Sequence, residues 1–370
     1  TQRICDPMLP ELAREFGTSM ARAAQVVSVF AVVYGMTQLV YGSLGDRWGK
    51  FRLLTWTTLA SGLGCLLATF ATSLDMLVAA RVLTALVAAA IIPMAMAWTG
   101  DAVAYDRRQE TLARVGLGTT MGITGGQLLG GLFVDTLGWR WAFVLMALLF
   151  GVVGGFLRSD LIRQGRPVSH GASAGAMTQA LEIVRTPWAR KLLLVAVAQG
   201  GAGLGIVATI ASHLHEAHGL TLAASGAIVA LFGLGGVSFM AVARHLIRRL
   251  GEHGMVRVGG LGMAATLLAV GLSPVWQVLP GVMLLGGFAF FMLHNTLQAN
   301  ATQMAPQARG LGVSMFATGL FLGQALGVLV ATSLIPRLGS GAVIAGGGLV
   351  MAAMATWLSG QLRRRAAQAA

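Results

Sequence analysis

The stretch Gly42-Ser43-Leu44-Gly45-Asp46-Arg47-Trp48-Gly49-Lys50-Phe51-Arg52 is a short polar connection between two long apolar segments. Gly42 and Gly49 allow a tight turn and a close approach of the flanking segments. Asp46 is an anion that can sit at the N-terminus of a neighbouring helix, where free N–H groups and the helix dipole favour it. The pattern therefore predicts a loop with a structural role between two packed helices.

The basic residues of this loop, Arg47, Lys50 and Arg52, can pair with an acid from another loop on the same side. Asp101 is the first candidate partner, because it lies at the end of the apolar segment at residues 77–98. Asp106 is the second candidate. We expect such a cluster to act as a conformational latch. The alternative is a solvated basic loop without a mechanical role.

Composition indicates that lipid is the solvent of this chain. Mean hydropathy is +0.75, hydrophobic residues make up 56% and charged residues only 11%, whereas soluble domains carry about 25% charged residues. Hydrocarbon offers no hydrogen-bond partner to backbone N–H and C=O groups, so the spanning elements must be helices or a closed barrel. The apolar runs are long enough for helices and do not alternate as barrel strands do. The fold class is an all-α membrane protein.

The apolar runs predict eleven spans. They cover residues 24–43, 54–71, 77–98, 112–134, 140–157, 190–211, 223–243, 255–272, 277–297, 309–331 and 341–359. Residues 158–188 form the one long polar connection, without an apolar period. This division predicts an N-terminal bundle at 1–157, a cytoplasmic linker at 158–188 and a C-terminal bundle at 189–370.

Basic residues are distributed unevenly between the two sides of the predicted membrane. Alternate assignment of the loops places 20 of the 26 Lys and Arg residues on one side. That bias marks the basic side as cytoplasmic. The net charge of +13 is thus a topology signal, with a contribution from anionic lipid, and we expect no nucleic-acid partner.

The start of the sequence carries an expectation of its own. Loop parity puts Leu12 to Ala23 outside, so a preceding span should have delivered the chain there. We expect most of a first helix to be missing from this sequence, with six plus six spans in the intact protein. No cleavable signal peptide is visible.

An internal repeat supports two related halves. Gly126-Gln127-Leu128-Leu129-Gly130 recurs as Gly323-Gln324-Ala325-Leu326-Gly327, and Arg47-Trp48-Gly49 is echoed by Arg249-Leu250-Gly251. The similar offsets are what duplication of a six-span unit leaves. Parallel halves with a substrate site between them at the membrane midplane are a transporter layout.

The loop at 42–52 resembles the signature Gly-x-Leu-x-Asp-Arg-x-Gly loop of the major facilitator superfamily, and the resemblance covers essentially the whole chain. It implies two six-helix bundles and transport by alternating access. It also implies that the latch holds the outward-open state. The second copy has Arg248 where Asp46 would align, so the latch is expected in one half alone.

Two charged residues in apolar surroundings are candidates for proton coupling. Arg81 lies inside a span, where an unpaired charge costs at least about 2.5 kcal/mol, and the family often carries an Arg there that is associated with proton coupling. Snorkelling to the outer interface is the alternative. Asp6, in Asp6-Pro7-Met8-Leu9-Pro10, resembles a motif of family relatives and could be protonated near the cavity mouth. A helix-end ion pair with Arg3 is the alternative.

The segment from Gly122 to Gly131 resembles the fifth-helix motif of the family's antiporters, with Gly126-Gln127 where that motif has Gly-Pro. Its glycines Gly122, Gly126, Gly130 and Gly131 are expected to allow close helix packing. Gln127 and Gln324 could face the cavity or form interhelical hydrogen bonds.

A polar stretch, His294-Asn295-Thr296-Leu297-Gln298 with Asn300, is predicted to end a late helix. It resembles a stretch of bacterial drug- and sugar-efflux members of the family. These groups could line the substrate path, and His294 could exchange protons. The alternative is a polar interface cap. Asp135, at an outer end, is a further proton carrier to consider.

Metal binding is not expected. His213-Leu214-His215-Glu216 with His218 lies at an outer loop without a catalytic architecture, and Cys5 and Cys65 lack metal-ligand spacing. The resemblance to bacterial efflux proteins implies a secondary transporter in the bacterial cytoplasmic membrane. It would move a drug, sugar or metabolite, with export favoured over import. The expected driving force is an ion gradient, with protons as the first candidate.

No phosphate-binding Gly-x-x-x-x-Gly-Lys-Ser/Thr loop is present, so this chain is not expected to hydrolyse ATP or to need a cofactor. Its expected partners are a small-molecule substrate and the lipid bilayer, with the chain acting as a monomer. The alternatives are a polytopic membrane enzyme and a solute sensor that keeps the fold without transport.

Overall fold

The computed structural model describes residues 1–164, 176–305 and 309–369, and within these ranges the chain is helical without strands. Short 3-10 turns cover Asp6–Met8 and Trp276–Val278, and a π-helical turn covers Gly200–Gly205. The helices are α1 Leu9–Glu15, α2 Met20–Ala23, α3 Gln25–Trp48, α4 Lys50–Thr69, α5 Leu74–Ala88, α6 Ile91–Ala102, α7 Tyr105–Thr136, α8 Trp139–Gln164, α9 Ala176–Arg185, α10 Pro187–Gln199, α11 Ile206–His218, α12 Leu222–Leu272, α13 Leu279–Gln303, α14 Arg309–Leu338 and α15 Ser340–Ala369.

Nine helical stretches among the described residues are long and apolar enough to span a membrane. One of them, Leu222–Leu272, contains two of the predicted spans, and α7 corresponds to another predicted span although it falls outside the nine. Counting Leu222–Leu272 as two spans and adding α7, the helices correspond to the eleven predicted spans. The all-helical membrane fold is thereby confirmed.

Two interruptions of helices fall inside or between predicted spans. The predicted span at 77–98 is divided into α5 and α6, because the helix is interrupted at Ala89 and Ala90. Gly251 interrupts α12 with φ 61° and ψ 178°, a conformation that glycine adopts without steric cost. The two spans within Leu222–Leu272 therefore reverse direction at Gly251, on the side predicted to be cytoplasmic.

The two predicted bundles meet through α3 with α14 and through α7 with α12. Close contacts lie toward the outer ends of these helices: a Cβ at Gly131 would overlap the carbonyl of Leu222, and one at Gly226 would lie 2.5 Å from the carbonyl oxygen of Gln127. Contacts continue toward the middle of the helices, where Thr318 Oγ1 of α14 donates to the carbonyl oxygen of Gly35 of α3 at 2.7 Å. The two halves are therefore closely packed on the predicted outer side.

Helices occupy parts of the predicted linker at 158–188. Helix α8 continues to Gln164, and α9 occupies Ala176–Arg185, a stretch that was expected to lack helical periodicity. Ile183 of α9 is buried against the C-terminal part of the fold, while Leu181 and Val184 remain exposed. The apolar residues Met177, Ala180, Leu181 and Val184 of α9 recur at helical spacing, so the expectation that this stretch lacks an apolar period is wrong. Residues 165–175 lie outside the described residues.

Candidate functional site: a buried ionic network

Asp6 is the centre of a polar network in the outer half of the molecule. Its side chain is fully buried. A guanidinium nitrogen of Arg3 donates to Asp6 Oδ2 at 2.9 Å, and Gln127 Nε2 of α7 donates to the same oxygen at 2.9 Å. The predicted mouth position of Asp6 is therefore wrong in this conformation, because the carboxylate is enclosed by its partners. Both alternatives considered for this region, an ion pair with Arg3 and an interhelical bond from Gln127, are present together.

Arg3 also connects the two halves of the sequence. The same guanidinium nitrogen donates to the carbonyl oxygen of Leu204 at 3.1 Å. Leu204 lies in the π-helical turn Gly200–Gly205, and such turns interrupt the regular helical hydrogen bonds and are frequent at functional sites. The carboxylate of Asp6 therefore holds a cation that bridges to the opposite half.

Arg81 of α5 is the second buried cation of this region, with 1% of its surface exposed. Its Nε donates to the carbonyl oxygen of Val26 at 3.3 Å, and its guanidinium lies 3.9 Å from the ring centroid of Phe30. Arg81 thus does not reach the outer interface by snorkelling. It lies within electrostatic reach of Asp6, so the region holds two arginines and one carboxylate.

The network has unused hydrogen-bonding capacity within the described residues. Asp6 Oδ1, Gln127 Oε1 and both terminal nitrogens of Arg81 are buried without a protein partner there. Buried polar atoms without partners are costly and are typical of sites where water, ions or a ligand take part. The arrangement can accept a proton on Asp6 and change its charge balance when it does so.

The first Gly-Gln-x-x-Gly copy forms the wall of this network. A Cβ at Gly130 would overlap the carbonyl of Ile4, and a Cβ at Gly126 would lie 3.5 Å from the Ile4 nitrogen. The predicted packing role therefore fits Gly126, Gly130 and Gly131. No described atom lies within 4 Å of the Cβ position of Gly122, one turn before Gly126 on the face that meets Arg3 and Ile4, so a packing role of Gly122 stays a prediction.

The second copy packs in the same way, 197 residues later. A Cβ at Gly327 would overlap the carbonyl of Gly201, and one at Gly323 would overlap that of Val197. Gly201 stands at the same offset from Ile4 as Gly327 does from Gly130. The repeat seen in the sequence therefore corresponds to an equivalent backbone contact in each half.

The side chains at the two copies differ. Gln324 is nearly buried, yet within the described ranges no hydrogen bond of its amide accompanies the close packing. The polar contact in this half involves Gln199, a fully buried residue of α10, whose Oε1 lies 3.3 Å from His294 Nδ1. His294 is stacked on Phe290 with ring centroids 5.6 Å apart and an angle of 9°.

The remaining members of the polar stretch on α13 lie elsewhere. Helix α13 continues to Gln303, so the predicted helix end near Gln298 is wrong and His294 lies within the helix. Asn295 and Gln298 are exposed, whereas Asn300 is buried and its Nδ2 lies 3.3 Å from Glu252 Oε2. The structure therefore separates His294 from the other polar side chains of this stretch.

The signature stretch is a helix end with a one-residue break and not a loop. Helix α3 runs through Asp46 and Arg47 to Trp48, and α4 begins at Lys50. Gly49 has φ 87°, which only glycine adopts readily. Gly42 is helical with open space around it, so its predicted role in close contact is not seen in this conformation.

Lys50 gathers two acids at this helix end. Its Nζ lies 2.6 Å from Asp101 Oδ2 of α6 and 3.8 Å from Asp46 Oδ1. All three residues belong to the N-terminal half, and Arg47 and Arg52 are exposed beside them. The cluster therefore ties α3, α4 and α6 together at the predicted cytoplasmic surface. The side chain of Asp106, the second candidate partner, lies outside the described residues.

The outer histidines form a packed pair without a metal site. His213 Nδ1 lies 2.8 Å from Ser340 Oγ, and His213 and His218 have ring centroids 5.7 Å apart. His215 Nδ1 lies 2.7 Å from the carbonyl oxygen of Leu220. Among the described residues, no group of three or more His, Cys, Asp or Glu side chains is placed to hold a metal ion.

Two participants were not singled out from the sequence. The carbonyl of Leu204 carries no sequence signal, because any residue supplies one. Gln199 could have been noticed as an amide inside the apolar run that precedes Gly200 and Gly201, since polar groups in a span are commonly functional. The sequence places Arg3 beside Asp6, whereas the bond from Arg3 to the other half depends on the fold.

The fold and the network define a multi-pass helical membrane protein with a charged site between its two halves. A family-wide profile of the Major Facilitator Superfamily matches residues 2–328. The chain therefore belongs to the Major Facilitator Superfamily.

Two relatives and one solved structure illustrate this membership. An uncharacterized MFS-type transporter of Bacillus subtilis (strain 168), YwfA, is 21% identical over 271 residues, which are 72% of this chain and 65% of YwfA. The chain thus spans less than two thirds of that relative. The chloramphenicol resistance protein of Streptomyces lividans is 27% identical over 341 residues, 88% of this chain and 83% of the relative.

A crystal structure of the human organic anion transporter MFSD10 (TETRAN) is similar in fold. Its TM-score is 0.67 at 18% identity, with 95% of this chain and 88% of that chain covered. At this identity the likeness concerns the fold alone.

Proposed function

We propose that this protein is a secondary active transporter that exports a small drug-like solute by alternating access, coupled to protons through Asp6. The observation that carries the proposal is the buried Arg3–Asp6 pair whose cation also binds Leu204 of the opposite half. A site with this geometry links a titratable group directly to the contact between the halves.

Protonation of Asp6 would change the stability of the closed outer side. The ionised carboxylate compensates one of two buried arginines, and the protonated acid compensates neither. An uncompensated buried charge is strongly unfavourable. A proton therefore binds the open and closed conformations with different affinity, and by linkage it shifts the equilibrium between them. This is the minimum that proton coupling requires.

The substrate class and direction are proposed from the relatives. The Streptomyces lividans relative is named for chloramphenicol resistance, which favours export of compounds of that kind over import. We place the protein in the bacterial cytoplasmic membrane as a monomer, without cofactor or nucleic-acid partner. The ion gradient replaces ATP as the source of free energy.

The test uses proteoliposomes with an acidic lumen, radiolabelled chloramphenicol as the probe and a trapped pH indicator. We expect chloramphenicol uptake together with a rise of lumenal pH. Arg81→Ala should abolish both signals, while His213→Ala, which alters a histidine of the outer pair, should retain them. Uptake without any pH change would contradict proton coupling.

Two further outcomes separate the alternatives. A membrane enzyme would convert the probe without accumulating it, and a solute sensor would bind it without flux. Normal flux after replacing Asp6, Arg81 and His294 together, in protein that elutes as a single detergent-solubilised species, would overturn the assignment of the coupling residues.

A further inference from the structure

A lateral groove lies on the predicted cytoplasmic half of the molecule, between the two halves of the fold. Its volume is about 390 Å³. Leu39 of α3 forms one wall, Leu194 of α10 with Met315 and Leu322 of α14 form the other, and Val184 of α9 lies at its inner end. A groove of this size and lining matches a ligand that is mainly apolar.

One side chain breaks the apolar character of the groove. Arg190 is the single charged residue among those that line it. It is exposed, and within the described ranges its guanidinium makes no ion pair. An apolar slot with one unpaired cation at its cytoplasmic end is complementary to an anionic amphiphile.

The surroundings of Arg190 fit the interface between lipid headgroups and water. Helix α9 presents the exposed apolar residues Leu181 and Val184 beside the polar residues Glu182 and Arg185, as helices in the interface plane do. Residues 176–199 hold three basic residues and one acidic residue. Basic pockets between membrane helices on the cytoplasmic side bind acidic headgroups.

We infer that the groove is a binding site for an anionic phospholipid of the cytoplasmic leaflet, with one acyl chain between α3 and α14 and the headgroup phosphate at Arg190. A neutral phospholipid would fill the same apolar volume without compensating Arg190. The site is independent of Asp6 and of the proposed transport activity, so either proposal can fail without the other.

The test is native mass spectrometry of the protein released from nanodiscs that contain equal amounts of phosphatidylglycerol and phosphatidylcholine. We expect the wild type to retain phosphatidylglycerol at least about threefold over phosphatidylcholine, in line with a surface-exposed charge contact of under 1 kcal/mol. Arg190→Gln should remove that preference. Arg244→Gln, an exposed cytoplasmic arginine on α12, is the matched control and should keep it.

A second variant tests the groove itself. Leu194→Trp fills the slot from an exposed position and should reduce retention of both lipids without loss of folded protein in size-exclusion chromatography. Glycerol phosphate in solution should not displace the lipid if the acyl chain is part of the contact. Equal phosphatidylglycerol retention in Arg190→Gln and Arg244→Gln, or unchanged retention in Leu194→Trp, would overturn the inference.

Discussion

The two Gly-Gln-x-x-Gly copies occupy equivalent places in the two halves but have different surroundings. At the first copy, Gly130 contacts the backbone of Ile4, and the neighbouring turn carries Arg3 and Asp6. At the second, Gly327 contacts Gly201, and the equivalent turn is built from glycines. The packing is shared between the halves, whereas the charge is confined to one of them.

This difference indicates a division of labour within a duplicated scaffold. Backbone contact through glycine fixes how the helices sit, and both halves need it. The buried carboxylate and two arginines, at the cost of desolvation, lie in one half only. If the proposed proton coupling holds, the protein therefore has one titratable switch and not two that would act on each other.

The largest expected effect tests the shared packing. Gly130→Leu and Gly327→Leu should each lower stability by about 3 kcal/mol or more, because the new side chain overlaps a carbonyl of the adjacent segment. The loss of the monodisperse peak after a heating series in size-exclusion chromatography measures it. Gly122→Leu, with open space around it, is the control. Tolerance of leucine at Gly327 but not at Gly130 would show that the halves do not share this packing.

The next effect tests the confinement of charge. Asp6→Asn should reduce proton-driven chloramphenicol uptake by about tenfold, since a charge-assisted hydrogen bond of roughly 1.5–3 kcal/mol is lost, and the remaining uptake should no longer depend on pH. Among the described residues, the charged or titratable groups near Asp6 are Arg3, Arg81 and Cys5, and Gln127 is a neutral donor to it. Asp135→Asn, which removes an acid that accepts from the Ala223 nitrogen, should keep the pH dependence. Retained pH dependence in Asp6→Asn would place the switch elsewhere.

A smaller effect compares the two glutamines directly. Gln127→Leu removes one donor to Asp6 and should slow uptake by about fivefold, corresponding to about 1 kcal/mol. Gln324→Leu should change uptake by less than about twofold, because no hydrogen bond of that side chain is present within the described residues. Initial rates at matched protein content measure both. Equal losses would argue that the second copy also has a polar role.

The smallest effect concerns ion pairs outside both copies. Lys50 and Asp101 are 26% and 61% exposed, so Asp101→Asn should change thermal stability by about 0.5 kcal/mol. Asp46→Asn should change it less, since its oxygen is 3.8 Å from Lys50. Glu110→Gln, which removes the exposed pair with Arg114, is the control. A change of several kcal/mol in Asp101→Asn would show that the cluster acts as a strong latch.

Helical spans and the internal repeat could be predicted because both depend on local sequence. Length and hydropathy define a span. The repeat is visible because Gly130 and Gly327, 197 residues apart, make equivalent contacts with a backbone carbonyl. The association of Lys50 with Asp101 could also be anticipated, since both residues lie at helix ends on the same predicted side. The positions of helix ends were predicted less well, since α3 continues through Asp46 and α13 continues to Gln303.

Other features could not be predicted because they depend on the tertiary arrangement or on the conformation. The bond from Arg3 to Leu204 joins residues 201 positions apart, and its acceptor is a backbone carbonyl. The burial of Asp6 requires Arg3, Gln127 and the closed outer side at once. The open space at Gly42 and Gly122 depends on which segments pack beside them, which a glycine-rich pattern does not specify.

Helix α7 carries more small residues than this conformation uses. Gly116, Gly118 and Gly122 on its inner half have no neighbour within 4 Å, while Gly130 and Gly131 on its outer half touch other backbones. A side chain at one of these inner positions would meet no described atom, whereas one at Gly131 would overlap the carbonyl of Leu222. Gly116→Leu should therefore leave the unfolding temperature unchanged, and Gly131→Leu should lower it.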